Sequence, residues 1–414
     1  METIKVRRFL GIISLMWLTA SYSGNANPVR KTMITGGFER EYKLYVPQNE
    51  LRDKVDGLLI CLHGFGRTID DFFEQYNIST IADNMNMIVA APQALPEQDP
   101  LVQAQAYLLS LIPDTEISLH SVWGCGLRVK AAFASTGVTI VDEVLNKGVD
   151  DVAFIDLTID KIISEYELSG DNIFMLGTSM GGYMTYQYAL LKGQRLSGII
   201  PIAGSFGLNI KGMDKAPKIP ICDFHSVTDE VVPYAGSQVK SLFHITLAQP
   251  KEDVINFWWA TNATGAAVAE QVRYYPSTNG ITVEKIMYPD PDNEVVHYKV
   301  NGAPHSYFFS KDAGDCMDHI EEIMKFIAAH HSILSQNVPI VAEQELMFYP
   351  NPVYDKVYFY TSEGIVSIYD MSGRELISQR FTAGQTDLSF LKQGLYIIRI
   401  QYGITTYIGK LLKK

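Results

Sequence analysis

The sequence predicts an α/β protein with a mostly parallel sheet flanked by helices, followed by a small C-terminal β-sandwich. Between residues 29 and 331, short β-branched runs alternate with helical patterns, as they do in parallel α/β folds. From residue 348 to residue 414, apolar and polar residues alternate between Gly and Asn-Pro breaks, which is typical of antiparallel strands. The length of 414 residues suits one large domain and one small domain.

The composition indicates a folded protein and argues against a nucleic-acid partner. Hydrophobic residues make up 47% of the chain and charged residues 19%, which leaves enough apolar material for a core. The net charge is -12 and no Lys/Arg-rich stripe is present, whereas a phosphate-binding surface needs basic residues. The four cysteines lack zinc-type spacing, so no metal is expected. Pairing of Cys125 with Cys316 is left open, because an exported protein can form disulfides.

The N-terminus has the pattern of a signal peptide over residues 1–26. Basic residues precede an apolar run from Phe9 to Ala20, and small and polar residues follow it. A transmembrane anchor is the alternative, but this run is shorter than the ~20 residues that a spanning helix needs. We therefore expect the mature protein to lie outside the cytoplasm without a stable transmembrane segment.

Six segments between residues 29 and 331 are predicted as buried strands: Gly57 to Leu62, Met87 to Ala91, Asn172 to Leu176, Gly198 to Ile202, Ile219 to His225 and Glu294 to Val300. Helical spacing is clearest from Val149 to Glu165, and a second helix is predicted to start just after Ser179. The stretch from Pro92 to Phe133 has several turn residues and weak periodicity. We predict it to be a long loop, of a kind that is usually functional or disordered.

The segment Gly177 to Gly181, with the sequence Gly-Thr-Ser-Met-Gly, has the Gly-x-Ser-x-Gly pattern of a nucleophile elbow. In an elbow the serine lies on a strained turn between a strand and a helix, and the glycines let these two elements approach closely. The bare pattern is common, but here a predicted strand precedes it and a predicted helix follows. Ser179 is therefore the predicted nucleophile of an α/β-hydrolase fold.

A serine hydroxyl is a poor nucleophile at neutral pH, so a base and an orienting acid must follow in the chain order Ser, Asp or Glu, His. Asp229 lies just past the end of a predicted strand and is the predicted acid, with its neighbour Glu230 as the rival. His305 lies in a Gly/Pro loop directly after the last predicted strand and is the predicted base. His225 is interpreted as a residue that helps to position the acid.

The tetrahedral intermediate of such a reaction needs backbone N–H donors directed at its oxyanion. Met180, which follows the nucleophile, is the first predicted donor. Phe65, in the loop His63-Gly-Phe-Gly after the first predicted strand, is the second, and His63 itself is interpreted as structural. Trp123 has two open interpretations: it stacks on a sugar or aromatic acid of the substrate, or it pins the long loop in place.

Three further segments carry a family resemblance: the helix entry from Gly148 to Phe154, the tripeptide Gly182 to Met184 after the elbow, and the acid segment from His225 to Tyr234. With them, the region from Val29 to about His331 resembles the secreted poly(3-hydroxybutyrate) depolymerase and feruloyl esterase family of α/β-hydrolases. The resemblance implies a cofactor-free serine esterase that forms an acyl-enzyme and acts on polysaccharide-linked or polymeric esters. The sequence Pro-His-Ser-Tyr around His305 departs from the expected Gly-His and Trp.

The C-terminal segment carries a second resemblance, on the motifs Tyr-Pro-Asn-Pro at 349–352, Ile-Tyr-Asp-Met-Ser-Gly-Arg at 368–374, Gly-Leu-Tyr-Ile at 394–397 and the terminal Lys-Leu-Leu-Lys-Lys. Residues 348–414 resemble the C-terminal sorting domain of the type IX secretion system in Bacteroidetes. This resemblance implies the secretion machinery as a partner and a secreted or cell-surface location. Residues 332–347 are the predicted linker before it. A carbohydrate-binding β-sandwich is the alternative for this segment.

Two other functional classes stay open from the sequence. A serine peptidase of the same fold would use the same three residues, although no gating domain precedes the hydrolase region. A surface adhesin with an inactive hydrolase fold is the non-enzyme alternative, and the intact order of Ser, Asp and His argues against it.

Overall fold

The computed structural model describes residues 28–47, 54–110, 119–132, 139–236, 243–244, 248–263, 271–275, 279–290, 292–332, 348–349, 352–359, 363–370, 374–382, 384–402 and 405–414. The predicted signal peptide lies outside these residues, and so do residues 333–347 of the predicted linker.

Ten strands form the main sheet: β1 Val29–Thr35, β2 Phe38–Tyr45, β3 Gly57–Leu62, β4 Met87–Pro92, β7 Ile173–Thr178, β8 Gly198–Ile202, β9 Ile221–Ser226, β11 Gln271–Tyr274, β12 Thr282–Tyr288 and β13 Val295–Asn301. Their spatial order is β1-β2-β4-β3-β7-β8-β9-β13-β12-β11. The central strands from β4 to β13 pair in parallel, and the outer strands on both sides pair antiparallel. The loops after the parallel strands therefore meet at one edge of the sheet, where ligands bind in open α/β folds.

Seven helices accompany the sheet: α1 Ile69–Gln75, α2 Ser79–Met85, α3 Pro100–Ser110, α4 Asp151–Tyr166, α5 Met180–Lys192, α6 Lys251–Asn262 and α7 His319–His330. Alternate residues of β3 point to opposite faces, so that Leu58 and Ile60 join one core and Leu59 and Cys61 the other. Helices α3 to α6 contribute to the first core, and α1, α2 and α7 contribute to the second. None of the helices in the described part of the chain is long and apolar enough to cross a bilayer.

The observed elements confirm the predicted α/β fold class. All six predicted strands are present, with ends that differ from the prediction by two residues or fewer. These strands are easy to predict because their side chains are buried on both faces of a parallel sheet, which leaves continuous apolar runs in the sequence. The predicted helix from Val149 begins two residues later, where the Asp150 side chain caps the N-terminus by accepting the Ala153 N–H at 2.9 Å.

The prediction of one long loop from Pro92 to Phe133 was wrong, because the stretch contains helix α3 and strand β5 Arg128–Ala132. The start of α3 is marked by Asp99, whose Oδ1 accepts the Leu101 N–H at 2.9 Å, and by Pro100 in the first helical position. Strand β5 lies in a small antiparallel sheet between β6 Thr139–Val144 and β10 Phe243–His244.

The C-terminal region forms two antiparallel sheets, from β14 Phe348–Tyr349, β15 Lys356–Phe359 and β18 Gln385–Asp387, and from β16 Glu363–Tyr369, β17 Glu375–Thr382, β19 Gly394–Tyr402 and β20 Thr405–Lys413. Both sheets contribute to one apolar core: Val357 and Phe359 come from the first, and Val366, Ile368 and Ile398 from the second. This arrangement confirms the small β-rich second region.

All four cysteines are free thiols. Cys125 belongs to the core on the α4 and α5 face of the sheet, and Cys316 packs against the core on the α7 face. The sheet therefore separates the two sulfur atoms, and Cys125 and Cys316 do not form a disulfide. Burial raises the pKa of the Cys125 thiol to about 12, which makes it unreactive at neutral pH.

Candidate active site

The predicted nucleophile Ser179 lies on a tight turn between β7 and α5. Its backbone is in a strained conformation, with φ 53° and ψ −118°, as the elbow pattern requires. A methyl group on Gly177 would lie 2.1 Å from the Gly181 carbonyl oxygen, and one on Gly181 would lie 2.0 Å from the Leu62 carbonyl oxygen. Both glycines are therefore needed for the close approach of α5 to β7 and β3.

The structure brings Ser179, His305 and Asp229 into one hydrogen-bonded chain. His305 Nε2 lies 2.8 Å from Ser179 Oγ, and His305 Nδ1 lies 2.7 Å from Asp229 Oδ2. The three residues follow β7, β13 and β9, so they share the carboxyl edge of the parallel sheet. Glu230, the rival acid, is exposed and makes no such contact.

Asp229 is buried and keeps its charge through hydrogen bonds. Burial alone would raise the pKa of this carboxyl, but the hydrogen bond and charge of His305 outweigh it and lower the pKa. Oδ1 also accepts the N–H groups of Val231 and Val232 at 2.9 and 2.8 Å. The carboxylate is therefore fixed on one oxygen by its own loop and free on the other to hold the imidazole.

The acid loop, which we define as residues 227–234, is connected to the loop after β13 that carries His305. Ser226 Oγ donates to the Ala303 carbonyl oxygen at 2.7 Å, and Thr228 Oγ1 donates to the same oxygen at 3.1 Å. The Gly302 N–H in turn donates to Thr228 Oγ1 at 3.1 Å. Three hydrogen bonds thus connect the loops that carry Asp229 and the His305 imidazole.

Met180, the first predicted oxyanion donor, is the first residue of α5. The first N–H groups of a helix have no acceptor within that helix, and they lie at the positive end of its dipole. The Met180 N–H is therefore available beside the nucleophile, in a position that favours negative charge.

Phe65, the second predicted donor, lies in the oxyanion loop, which we define as residues 63–66. The Gly64 carbonyl accepts the His63 Nδ1–H at 2.8 Å and the Arg67 N–H at 3.2 Å. Because the C=O and N–H of a trans peptide point in opposite directions, these bonds also fix the direction of the Phe65 N–H. That N–H has no hydrogen-bond acceptor within the described ranges. A methyl group on Gly64 would lie 3.3 Å from Ser179 Cβ, so the loop adjoins the nucleophile.

His63 is buried and neutral. Burial lowers the pKa of its imidazole to about 4, although the hydrogen bond to Gly64 opposes this shift. Nε2 accepts the Ala94 N–H at 3.1 Å and lies 3.1 Å from Gln93 Nε2, which itself donates to Ser121 Oγ at 2.7 Å. Gln93 and Ser121 are not predicted from the sequence, in which the position of Gln93 directly after β4 is the only signal for either residue.

Trp123 does not lie where a substrate could stack on it. The side chain is fully buried, its Nε1–H donates to the His63 carbonyl oxygen at 2.9 Å, and its ring packs 5.0 Å from the His63 ring. The suggested substrate contact is therefore corrected in favour of the second interpretation, in which Trp123 pins its segment against the oxyanion loop.

His225 lies at the base of the acid loop, where a residue that helps to position the acid is expected. Its Nε2 lies 2.9 Å from the Val232 carbonyl oxygen and its Nδ1 lies 3.2 Å from the Gly204 carbonyl oxygen. Burial, followed by the charge of Lys251, lowers the pKa of this ring to about 4, against the opposing effect of nearby carboxylates. Within the described residues, no group of three or more His, Cys, Asp or Glu side chains is arranged to hold a metal ion.

Comparison with known families gives two separate matches along the chain. Residues 139–257 match the phospholipase/carboxylesterase family, and residues 347–414 match the secretion system C-terminal sorting domain. The first match lies within the predicted hydrolase region, and the second covers the predicted C-terminal domain. The matches agree with the resemblance to esterases of the α/β-hydrolase fold and with the resemblance to type IX sorting domains, and the poly(3-hydroxybutyrate) depolymerase part of the first resemblance stays a prediction.

Three similar proteins are distant from this chain in sequence. The chain is 26% identical over 172 residues to a bifunctional acetylxylan esterase/xylanase from Neocallimastix patriciarum. This alignment covers 41% of the chain and 22% of the length of that protein. An acetyl xylan esterase from Aspergillus awamori aligns with a TM-score of 0.44 and 13% identity over 72% of this chain and 99% of its own. An S-formylglutathione hydrolase from Agrobacterium tumefaciens aligns with a TM-score of 0.43 and 12% identity, over 73% and 95%.

Proposed function

We propose that the protein is an exported serine carboxylic-ester hydrolase that works through an acyl-enzyme on Ser179. The observation that carries the proposal is the hydrogen-bonded chain from Ser179 through His305 to Asp229, with distances of 2.8 and 2.7 Å. The N–H groups of Met180 and Phe65 beside it supply the donors that an oxyanion needs. The sorting domain supports export to the cell surface or beyond.

The geometry supports the following acylation step. His305 Nε2 takes the proton of the Ser179 hydroxyl as Oγ forms a bond to the ester carbonyl carbon, and the carbonyl π electrons move to the oxygen. The two backbone N–H groups stabilise that oxyanion. Asp229 keeps the Nδ1 proton in place and stabilises the imidazolium. When the oxyanion collapses, the C–O bond to the alcohol breaks and the imidazolium protonates the departing oxygen.

Deacylation repeats these roles with water as the nucleophile. The imidazole removes a proton from water, whose oxygen bonds to the acyl carbon, and the collapse of the second intermediate breaks the bond to Ser179 Oγ. The proton returns to Oγ and the carboxylic acid leaves. No step of this cycle needs a cofactor.

For the substrate, we propose acyl esters on polysaccharide, with acetyl or feruloyl groups as the acid part. The acetylxylan esterase activity in the name of the Neocallimastix relative supports an acetylated polysaccharide. Export also suits a substrate too large to enter the cell. A polyester such as poly(3-hydroxybutyrate) is the second candidate on the resemblance of the hydrolase region alone.

The test is hydrolysis of p-nitrophenyl acetate, methyl ferulate, acetylated xylan and poly(3-hydroxybutyrate) by the full chain and by Ser179→Ala. We expect release of acid from at least the first substrate and a loss of about 10⁴-fold or more in the variant, as when a nucleophile of this type is removed. Ser197→Ala is the matched control. Ser197 precedes β8 at the opposite end of the sheet, where its Oγ donates to the Asp171 carbonyl oxygen, so activity should be unchanged.

Other outcomes separate the competing classes. Full activity in Ser179→Ala would refute the assignment of the nucleophile. Cleavage of p-nitroanilides in preference to esters would favour the serine peptidase. Absence of any turnover by a folded protein would favour the surface adhesin.

A further inference from the structure

A cluster of buried ionisable side chains lies next to the acid loop and takes no part in the mechanism above. We call it the Asp223 cluster, and its members are Asp223 on β9, His297 on β13, Lys251 at the start of α6 and Tyr234 at the end of the acid loop. Asp223 and Lys251 are completely buried and His297 is 2% exposed. Charged groups this far from water need specific partners.

Asp223 has a partner on each carboxylate oxygen. Oδ1 accepts Lys251 Nζ–H at 2.8 Å and the Tyr186 hydroxyl at 2.7 Å, and Oδ2 accepts His297 Nδ1–H at 2.8 Å. Burial would raise the pKa of Asp223, but the charge of Lys251 and the bond to His297 lower it. The carboxylate therefore stays charged and is fully bonded.

The cluster reaches the acid loop through Tyr234. With the Nδ1 proton of His297 directed at Asp223, Nε2 accepts the Tyr234 hydroxyl proton at 2.9 Å. The Tyr234 carbonyl accepts the Lys251 N–H at 2.9 Å, and its ring packs edge-on against His225 with centroids 5.7 Å apart. The last residue of the loop is thus held by both its side chain and its backbone.

The same cluster aligns the two strands that lead into the site. Asp223 and His297 are register partners in the parallel pair β9 and β13, whose following loops carry Asp229 and His305. A slip of one residue between strands is a shift of about 3.3 Å. Asp229 Oδ2 and His305 Nδ1 lie 2.7 Å apart, so a shift of that size would break their hydrogen bond. A buried ion pair adds little to stability compared with apolar side chains of similar size. The alignment of β9 with β13 is therefore a better reason for the presence of the Asp223–Lys251 pair.

We propose that the Asp223 cluster positions the acid loop so that the Asp229 carboxylate stays in contact with His305. The proposal rests on the proposed function, because it concerns the same site. Its members are positioning residues that act through Asp229, and the link between His297 and Tyr234 is the part that can be removed most cleanly.

Tyr234→Phe in the full chain tests this link, because it removes one hydroxyl and keeps the ring that packs against His225. We expect kcat for p-nitrophenyl acetate to fall about tenfold, the scale of one hydrogen bond in a buried network, with KM within about twofold of the unchanged protein. In the double variant with His297→Phe, kcat should be no lower than in His297→Phe alone, because both changes break the same link.

Tyr298→Phe is the matched control. Tyr298 is the next residue on β13, and its hydroxyl bonds to the buried carboxylate of Glu322 on the opposite face of the sheet. This variant loses a comparable buried hydrogen bond, so it should lower the unfolding temperature and leave kcat within about twofold. Equal losses of kcat in Tyr234→Phe and Tyr298→Phe would overturn the proposal, and so would additive losses in the double variant.

A second measurement needs no turnover. The proton between His305 Nδ1 and Asp229 gives a low-field 1H NMR resonance, since a short bond to a carboxylate deshields it. We expect this resonance to shift or broaden in Tyr234→Phe and to stay in place in Tyr298→Phe, and an unchanged resonance in both would overturn the proposal. A protein that hydrolyses no ester yet shows the expected shift would refute the proposed function and support the positioning network.

Discussion

The oxyanion loop and the acid loop are both held by a buried histidine, but their surroundings differ in charge. The histidine of the oxyanion loop, His63, is surrounded by neutral hydrogen-bonding groups from Gln93, Ser121 and Trp123. The acid loop is held through His225 and the charged Asp223 cluster. A loop that presents backbone dipoles needs only a fixed peptide plane. A loop that presents a buried carboxylate must also keep that carboxylate ionised and at a fixed distance from the imidazole.

This comparison predicts the largest effect for loss of the charge on the acid loop. Asp229→Asn keeps the size of the side chain but presents an N–H or a weak acceptor to His305 Nδ1, so the imidazole loses its orienting charge. We expect kcat for p-nitrophenyl acetate to fall by about 10⁴-fold, with a normal unfolding transition by circular dichroism. Glu230→Gln, one residue along and exposed, is the control and should stay within about twofold. A larger loss in the control than in Asp229→Asn would make Glu230 the acid.

The next largest effect is predicted for the oxyanion loop. In Gly64→Ala the new methyl group lies 3.3 Å from Ser179 Cβ and 3.8 Å from its Oγ, in the space beside the nucleophile. Because 3.3 Å is a tight contact, either Ser179 or the oxyanion loop with the Phe65 N–H must shift to relieve it. We expect kcat to fall about 10²- to 10³-fold, the scale seen when one oxyanion donor is lost.

Gly148→Ala is the control for this change. A methyl group there meets no atom within 4 Å, so both kcat and the unfolding temperature should be unchanged. If Gly64→Ala were as active as Gly148→Ala, the oxyanion donor would have to lie elsewhere than in the oxyanion loop.

The sequence predicts the residues that both loops present to the site. Ser179, Asp229 and His305 each follow a strand with a strong apolar pattern, so their meeting at one edge of the sheet follows from chain order. The oxyanion loop is likewise local, because His63 and Phe65 lie within three positions of β3. Trp123 was ambiguous because an aromatic side chain has the same sequence signal whether it packs inside or faces a ligand.

The Asp223 cluster could not be predicted in the same way. Asp223 lies 28 residues from Lys251 and 74 residues from His297, and Tyr234 lies 63 residues from His297. Asp223, Lys251 and His297 lie inside a strand or a helix with no motif of their own, and the acid segment that ends at Tyr234 gives no signal for a contact with His297. Only the parallel pairing of β9 with β13 brings them together, and side-chain partners across a sheet are set by its register.

The smallest predicted effect concerns the charge of the two histidines at low pH. The pKa of each ring is lowered in the folded protein to about 4, whereas the ordinary value is 6.5. The unfolded chain therefore binds a proton at a higher pH than the folded chain does. Each neutral ring therefore makes its full contribution to the free energy of unfolding above about pH 6.5. That contribution is lost as the pH falls towards 4, by about 1.4 kcal/mol per pH unit.

Two matched variants measure this slope. His63→Asn retains a donor near the position of Nδ1, and His225→Gln retains one near Nε2, but neither side chain titrates. The slope of the free energy of unfolding between pH 6.5 and 4, measured by urea denaturation, should become shallower by about one proton in each variant. His63 Nδ1 faces the Gly64 carbonyl oxygen and Nε2 accepts the Ala94 N–H, so a single proton satisfies this ring. His225, in contrast, faces the carbonyl oxygens of Gly204 and Val232. An unchanged slope in His225→Gln alone would mean that these two acceptors keep the His225 ring doubly protonated. The acid loop would then be held by a positively charged histidine and the oxyanion loop by a neutral one.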